Sequence, residues 1–157
     1  MSSISMLVLG YNDSPSLSGL VRVLSEVLES GSSEYQIIVV DDGSTDGAVD
    51  ALRSDSRLHR FHQPPTGIVA ALELGRQHAR GELIARLDAD DIALPGRLQR
   101  QKLLLEQHPA TGAVGGRALI HREDGEVSTG MRRYVAWLNG LQDLHTQRLV
   151  ESPLFHP

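Results

Sequence analysis

The sequence predicts an α/β fold, a mostly parallel sheet flanked by helices, on three observations. Short apolar runs alternate with amphipathic helical stretches from Ile4 to Ile120. Two of the runs, Ile37-Ile38-Val39-Val40 and Leu83-Ile84-Ala85-Arg86-Leu87, are nearly unbroken, as parallel strands covered on both faces are. Each leads directly into an acidic turn, Asp41-Asp42-Gly43-Ser44 and Asp88-Ala89-Asp90-Asp91. In a parallel sheet both turns emerge at the carboxyl edge, where open α/β folds bind ligands.

The first strand is Ile4 to Leu9, and Gly10-Tyr11-Asn12-Asp13 turns the chain. Ser14 as N-cap and Pro15 at the first helical position open a helix with one apolar stripe of Leu17, Leu20, Val21, Leu24, Val27 and Leu28, ended by Gly31. Tyr35 to Val40 is the second strand. After the first acidic turn a short helix is expected from about Asp46 to Arg53, then a short strand from Leu58 to His62. Thr66 is expected to cap a helix along Ile68, Val69, Leu72, Leu74 and Ala79, stopped by Gly81. The strand into the second acidic turn follows. Pro95 is expected to start a helix whose Leu98, Leu103 and Leu104 face inward, closed by His108-Pro109. Ala113 to Ile120 reads as another strand and Glu123-Asp124-Gly125-Glu126 as a tight turn. Beyond Gly130 only short amphipathic pieces remain, around Trp137-Leu138 and Leu144, Leu149 and Val150, before the apolar Ser152-Pro153-Leu154-Phe155-His156-Pro157.

Composition narrows the function. A formal charge of -5, with the 15 basic residues scattered, argues against a nucleic-acid binder. The absence of cysteine excludes thiol nucleophiles and thiolate zinc sites, and none of the seven histidines sits in a zinc-hydrolase pair. No apolar stretch approaches the roughly 20 residues of a membrane span, so a cytoplasmic protein, with attachment to the inner face of the membrane as a variant, is the expectation.

Clustered carboxylates repel one another and attract hard cations, so the two acidic turns point to a divalent metal held against an anionic ligand such as a nucleotide diphosphate. One aspartate would suffice for an Asx-turn; Asp41 and Asp42 together exceed that need. The functional reading gives Asp42 a hydrogen bond from a nucleobase N–H or ribose hydroxyl. In an extended Asp88-Ala89-Asp90, alternate side chains point the same way and address one ion together, Asp90 ligating Mg or Mn and Asp88 contacting ribose or a metal-bound water. The competing reading is a turn cap over Ile92 to Leu94. Arg86, inside an apolar strand, calls for a partner, with a structural ion pair preferred to a substrate contact. His59, His62, His78 and His108 are expected to face solvent, and Tyr134 and Trp137 to pack in a core.

Taken in order, Gly10-Tyr11-Asn12, Val39-Val40-Asp41-Asp42-Gly43-Ser44-Thr45-Asp46-Gly47, Thr66-Gly67-Ile68 to Gly75, and Ala79-Arg80-Gly81-Glu82 through Asp88-Ala89-Asp90-Asp91 with Pro95, Arg97-Leu98 and Gln101 resemble the family 2 glycosyltransferases over essentially the whole chain. The resemblance implies a GT-A fold, a nucleotide-diphosphate sugar donor, commonly UDP-linked, a divalent metal (Mn or Mg) on Asp90 and Asp88 of a DxD motif, and inversion at the anomeric carbon, in work such as polysaccharide biosynthesis. It places Leu9, Tyr11, Asn12, Asp41, Asp42 and Asp88 near the nucleotide, with Gly67 and Ile68 as another wall. Pro65 and Glu73 depart from it, each standing where Asn is frequent. It also implies an acidic general-base motif beyond the His-Pro segment. None follows here, so no catalytic base is expected in the chain and sugar transfer by it is expected to be poor. Residues 1–120 would then be the nucleotide-sugar-binding domain and 121–157 the start of an acceptor-side region. The acceptor, whether saccharide, lipid-linked or protein, is left open, and apolar surface without its cover is expected to favour a homo-oligomer. A nucleotide-sugar-binding module without chemistry is the alternative. A sugar nucleotidyltransferase is a weaker one, since Gly10-Tyr11-Asn12-Asp13-Ser14-Pro15 lacks the glycines and charge that hold a triphosphate.

Overall fold

A computed structural model describes residues 3–12, 14–31, 34–47, 49–52, 54–121 and 125–141. The chain forms two compact units, residues 1–95 and 96–156.

The first unit holds the sheet. Its strands are β1 (Ile4–Gly10), β2 (Tyr35–Asp41), β3 (Leu58–His62) and β4 (Leu83–Asp88), with helices α1 (Ser14–Gly31) and α2 (Ile68–His78) between them. The spatial order is β3-β2-β1-β4 and every pairing is parallel. The chain steps from β1 to β2 to β3 in one direction and then returns to the far side of β1. This reversal makes the gap between β1 and β4 the topological switch point of the sheet.

Both faces of β1 and β2 are covered, which is why their sequences are apolar without alternation. Leu7 aligns with Ile38 and Leu9 with Val40. Leu7, Ile38 and Val40 form a core with Ala71 of α2, and Leu9, Phe61, Leu72, Leu74 and Ala79 pack around it. Met6, Val8, Ile37 and Val39, which point the other way, are fully buried as well, together with Leu17 of α1 and Leu87 of β4. Helix α2 approaches β1 so closely at Gly75 that a Cβ there would collide with Leu7 Cδ1.

A buried polar cluster ties the amino edge of the sheet to the α2–β4 connection. Ser5 Oγ donates to Gln36 Oε1 (2.9 Å), and Gln36 Nε2 donates to the His78 carbonyl (3.0 Å). The backbone N–H groups of Arg80 and Gly81 donate to Ser5 Oγ at 3.1 and 2.8 Å. The cluster is complete: among the described residues no buried side-chain polar atom lacks a partner.

Several expected boundaries move. Where a helix was expected from Asp46 to Arg53, the described residues form a turn, with Ala51 N bonded to Gly47 O and Leu52 N to Val49 O. Gly67, not Thr66, is the N-cap of α2, because Asp42 and not the Thr66 hydroxyl takes the loop's N–H groups. The helix ends at His78, before Gly81, whose missing side chain instead lets the chain pass 2.5 Å (from an ideal Cβ) over Ser5 N.

The second unit contains α3 (Arg97–Gln107) and α4 (Thr129–Gly140). Gly96, at φ 79°, precedes α3 where Pro95 was expected to begin it, and His108 closes it. Leu103 and Leu104 are about half exposed and do not face a core. Residues 113–120 form no strand. A strand needs a ladder partner, and at Ala118 both backbone groups are taken by the Asn139 side-chain amide, at 3.0 and 2.8 Å. Ser128 caps α4 by accepting from Met131 N. Leu138 is the buried residue of α4; Tyr134 and Trp137, expected in a core, are about 40 % exposed and lie against each other with centroids 6.0 Å apart. The Glu123-Asp124 half of the expected turn, and Leu144, Leu149, Val150 and the Ser152 to Pro157 segment, lie outside the described residues.

Candidate functional site

Because all four strands are parallel, the loops after each of them share the carboxyl edge of the first unit. These are 11–12 after β1, 42–47 after β2, 63–67 after β3 and 89–91 after β4. Gly10 aligns with Asp41 and Leu9 with Asp88, so the two acidic turns flank the end of β1. β2 and β4 lie two strand spacings apart, about 10 Å. The structure thus brings Leu9, Tyr11, Asn12, Asp41, Asp42, Gly67, Ile68, Asp88 and Asp90 to one edge, which for the two acidic turns is the placement that the apolar strand pattern predicts.

Asp41 and Asp42 do different work there. Asp41 is buried, with Oδ1 accepting from Ser44 N at 2.9 Å and Oδ2 2.6 Å from His62 Nδ1. Burial pushes its carboxyl up, but hydrogen bonds from Ser44 and His62 outweigh this and hold it below the ordinary carboxylate value. Ser44 Oγ accepts from Asn12 N, and Asn12 Oδ1 accepts from Thr45 N, both at 2.9 Å. Asn12 adopts a positive φ of 50° to make this bridge, a conformation that Asn tolerates better than most residues. The loops after β1 and β2 are therefore stitched together, and Tyr11 beside them is 60 % exposed.

Asp42 holds the next loop. Its Oδ1 accepts from Gln63 Nε2 (2.8 Å) and Thr66 N (2.9 Å), and its Oδ2 from Gly67 N (2.9 Å). The Gln63 bond, opposed by burial and joined by the two backbone N–H groups, keeps its carboxyl below the ordinary value. Pro65 packs on Gly43: a Cβ on Gly43 (φ +87°) would fall 2.7 Å from Pro65 Cδ. Pro65 therefore buttresses the first acidic turn. Glu73, the other departure from the family pattern, is spent on the surface of α2, 2.7 Å from the Arg76 guanidinium.

On the β4 side the geometry differs from the sequence expectation. Asp88 to Asp91 is a turn closed by Asp91 N to Asp88 O at 3.1 Å, not an extended segment, so the alternation argument for Asp88 and Asp90 does not apply. Arg86 finds its partner in Asp88, donating from Nη2 at 3.0 and 3.1 Å to the two carboxylate oxygens. Burial pushes the Asp88 carboxyl above the ordinary value; Arg86 opposes this, and the nearby charges of Asp91 and Asp90 add to it. Asp90 is exposed, and among the described residues no partner engages its carboxylate.

No group of three acidic or imidazole side chains is gathered among the described residues. The donor set nevertheless suits a hard divalent ion that keeps several ligands from water and phosphate. It offers an unengaged Asp90 carboxylate next to Asp91 and a partly buried Asp88 whose anionic form is penalised chiefly by burial, with Asp91 and Asp90 adding to it. His62, exposed to solvent as expected, holds Asp41, and Gln63 holds Asp42; these supporting roles are what sequence reasoning missed. Their signal was position: each residue directly ends or follows a predicted strand at the carboxyl edge.

Known proteins share this architecture. Residues 5–155 match the family model described as Glycosyl transferase family 2. An uncharacterized glycosyltransferase of Nostoc sp. is 35 % identical over 117 residues, covering 71 % of this chain and 34 % of the relative. The undecaprenyl-phosphate 4-deoxy-4-formamido-L-arabinose transferase of Edwardsiella ictaluri is 28 % identical over 150 residues, 88 % of this chain and 42 % of the relative. The chain thus spans between a third and a half of the length of these relatives. Among solved structures, the mannosyltransferase PcManGT of Pyrobaculum calidifontis, in complex with GDP-Man and Mn2+, superposes with a TM-score of 0.60 at 25 % identity, over 71 % of this chain and 33 % of that one. TarS of S. aureus, at 23 % identity and a TM-score of 0.53, shares the fold over 68 % of this chain and 33 % of its own. With nearly its whole length matched and its parallel sheet shared with glycosyltransferases of the GT-A fold, the chain belongs to glycosyl transferase family 2.

Proposed function

We propose that this chain binds a nucleotide-diphosphate sugar at the carboxyl edge of its sheet, with a divalent cation, as the donor part of an inverting glycosyltransferase. The observation that carries the reading is the placement of Asp42 and Asp90 on loops at the same edge, on either side of the β1 end and next to the switch point. Leu9, Tyr11, Asn12, Asp41 and Asp42, with Gly67 and Ile68 opposite, hold the nucleoside. Asp90 and Asp88 hold the cation, Mn or Mg, against the diphosphate. When bound, the cation supplies positive charge where negative charge builds on the leaving diphosphate. The chain's own part is orientation: the loops after β1, β2 and β3 are locked to one another by Asn12, Asp41 and Asp42, so the donor meets a preformed wall. The family resemblance implies a uridine nucleotide, whereas the mannosyltransferase neighbour carries GDP-Man; both share the diphosphate on which this reading rests.

The test is calorimetric titration of the chain with nucleoside diphosphates and Mn2+. Asp90→Ala is expected to weaken binding at least about tenfold with the far-UV circular dichroism unchanged, since the loss of one charged contact to the ion–phosphate pair is worth on the order of 1.5–3 kcal/mol. Undiminished affinity in Asp90→Ala would remove the cation site from the proposal. Among the described residues no helix is long and apolar enough to cross a bilayer.

A further inference from the structure

Gln63 follows β3 at its carboxyl end, and its amide is held by two acceptors. Nε2 lies 2.8 Å from Asp42 Oδ1 and 2.7 Å from Thr66 Oγ1. A primary amide has two N–H bonds, and both are spent here. The orientation of the amide is thereby fixed, because a flip would set Oε1 against a carboxylate oxygen. Gln63 Oε1 is left as an acceptor with no hydrogen bond to it among the described residues, on a residue that is half-buried.

The donors around it are consumed. Thr66 N–H and Gly67 N–H both point to Asp42. An ionised carboxylate has about four acceptor positions; Asp42 receives two bonds on Oδ1 and one on Oδ2, so a position on Oδ2 remains. The edge after β2 and β3 therefore offers two acceptors, Asp42 Oδ2 and Gln63 Oε1. The Thr66 hydroxyl, which accepts from Gln63, keeps its own hydrogen to donate.

We infer that Gln63 sets the nucleobase preference of the donor and selects guanine over uracil. The inference rests on the reading that this edge binds a nucleoside diphosphate. Guanine presents two adjacent donors, N1–H and the N2 amino group, beside one carbonyl, O6. Uracil presents a single N–H between two carbonyls. Two fixed acceptors and one hydroxyl donor match the first pattern. With uracil, N3–H on Asp42 leaves a carbonyl oxygen facing Gln63 Oε1, so that neither is hydrogen-bonded. A site built to hydrogen-bond a group rejects the analogue that lacks it, because its own polar atoms are left unpaired.

The probe is a set of three ligands, GDP, IDP and UDP, titrated into the chain with Mn2+. IDP differs from GDP only in lacking the N2 amino group. GDP is expected to bind about tenfold more tightly than IDP or UDP, the discrimination typical of one well-placed hydrogen bond. In Gln63→Leu the GDP to IDP ratio is expected to fall to about one. Equal affinities for GDP and IDP in the unmutated chain would overturn the inference without any variant. So would a ratio unchanged in Gln63→Leu, which is the result expected if Gln63 serves only to hold Asp42. UDP binding more tightly than GDP would overturn the inference and leave the functional reading standing, whereas binding of none of the three would overturn both.

Discussion

Single residues at the acidic edge are constrained by each other more than by their own propensities. Gly43 has a positive φ of 87°, and an added Cβ would meet the Pro65 ring, which is rigid, at 2.7 Å. Gly43→Ala is therefore expected to cost about 1–3 kcal/mol from the left-handed backbone alone, and more from the clash, read as a lower urea midpoint at unchanged m-value. Asp41 carries a pH signature. Its folded pKa lies below the ordinary value of 3.8, so above that pH its ionised form stabilises the fold, and this contribution is lost as pH falls through the folded value. Asp88 acts in the opposite sense. Its folded pKa is raised, so it favours the fold when protonated, and that contribution is lost as pH rises through the folded value. Asp41→Asn is expected to cost about 1–3 kcal/mol at pH 7, through its imperfect replacement as acceptor for Ser44 and His62, and to flatten the acid limb of the stability profile. An acid limb as steep as that of the unmutated chain would show that Asp41 does not produce it. The sequence pointed to Asp41 and Asp42 as a pair and singled out Asp42 for the ligand, but it did not show what holds each of them, because that depends on His62, Gln63 and the Gly67 N–H, which lie 20 or more residues away and arrive only when β3 pairs with β2.

At the scale of elements, what was legible was whatever a periodic apolar pattern records. β1, β2, β3 and β4 lie where alternating and continuous apolar runs put them, since burial on both faces of a parallel sheet writes itself into each strand. What local pattern does not record is whether a partner exists. Residues 113–120 have the composition of a strand, yet their backbone at Ala118 is satisfied by one Asn139 side chain. The 46–53 stretch contains helix formers such as Ala51 and Leu52, yet its described residues form a turn, with Ala51 N bonded to Gly47 O and Leu52 N to Val49 O. Caps moved for the same reason, as Asp42 reached the N–H groups that Thr66 was expected to serve. Packing between elements is likewise invisible in a single segment, and Gly75 is its sharpest case. In Gly75→Ala the gain in helix propensity, about 1 kcal/mol, is set against overpacking on the buried Leu7 side chain, about 1–3 kcal/mol. A net loss is expected. Leu7→Ala alone is expected to cost about 2–5 kcal/mol, and in that background Gly75→Ala should become neutral or stabilising. A double-mutant cycle by urea unfolding measures this coupling, and additive effects would show that α2 and β1 adjust independently.

For the molecule as a whole, charge decides how a donor can bind. The chain carries a net charge of -5, and the edge that would receive a diphosphate already holds Asp42, Asp88, Asp90 and Asp91. Arg86 faces Asp88 there and donates to both of its carboxylate oxygens. A diphosphate approaching this edge without a counter-ion meets like charge, so nucleotide and divalent cation are expected to bind as a linked pair. Ligand bound to the native state alone stabilises it by RT ln(1 + [L]/Kd), about 2.7 kcal/mol at a hundredfold excess over Kd. For a chain of this size that corresponds to roughly 5–10 °C in Tm. Nucleoside diphosphate with Mn2+ should therefore raise the melting temperature by that order, and the same nucleotide in EDTA should leave it within about 1 °C of the unliganded value. Mn2+ alone should produce a smaller shift than the pair, since Asp88 is already paired with Arg86 and Asp90 supplies the unengaged carboxylate. An equal rise with and without EDTA would mean that the acidic edge does not repel the diphosphate, and the cation would then have no role in holding the donor.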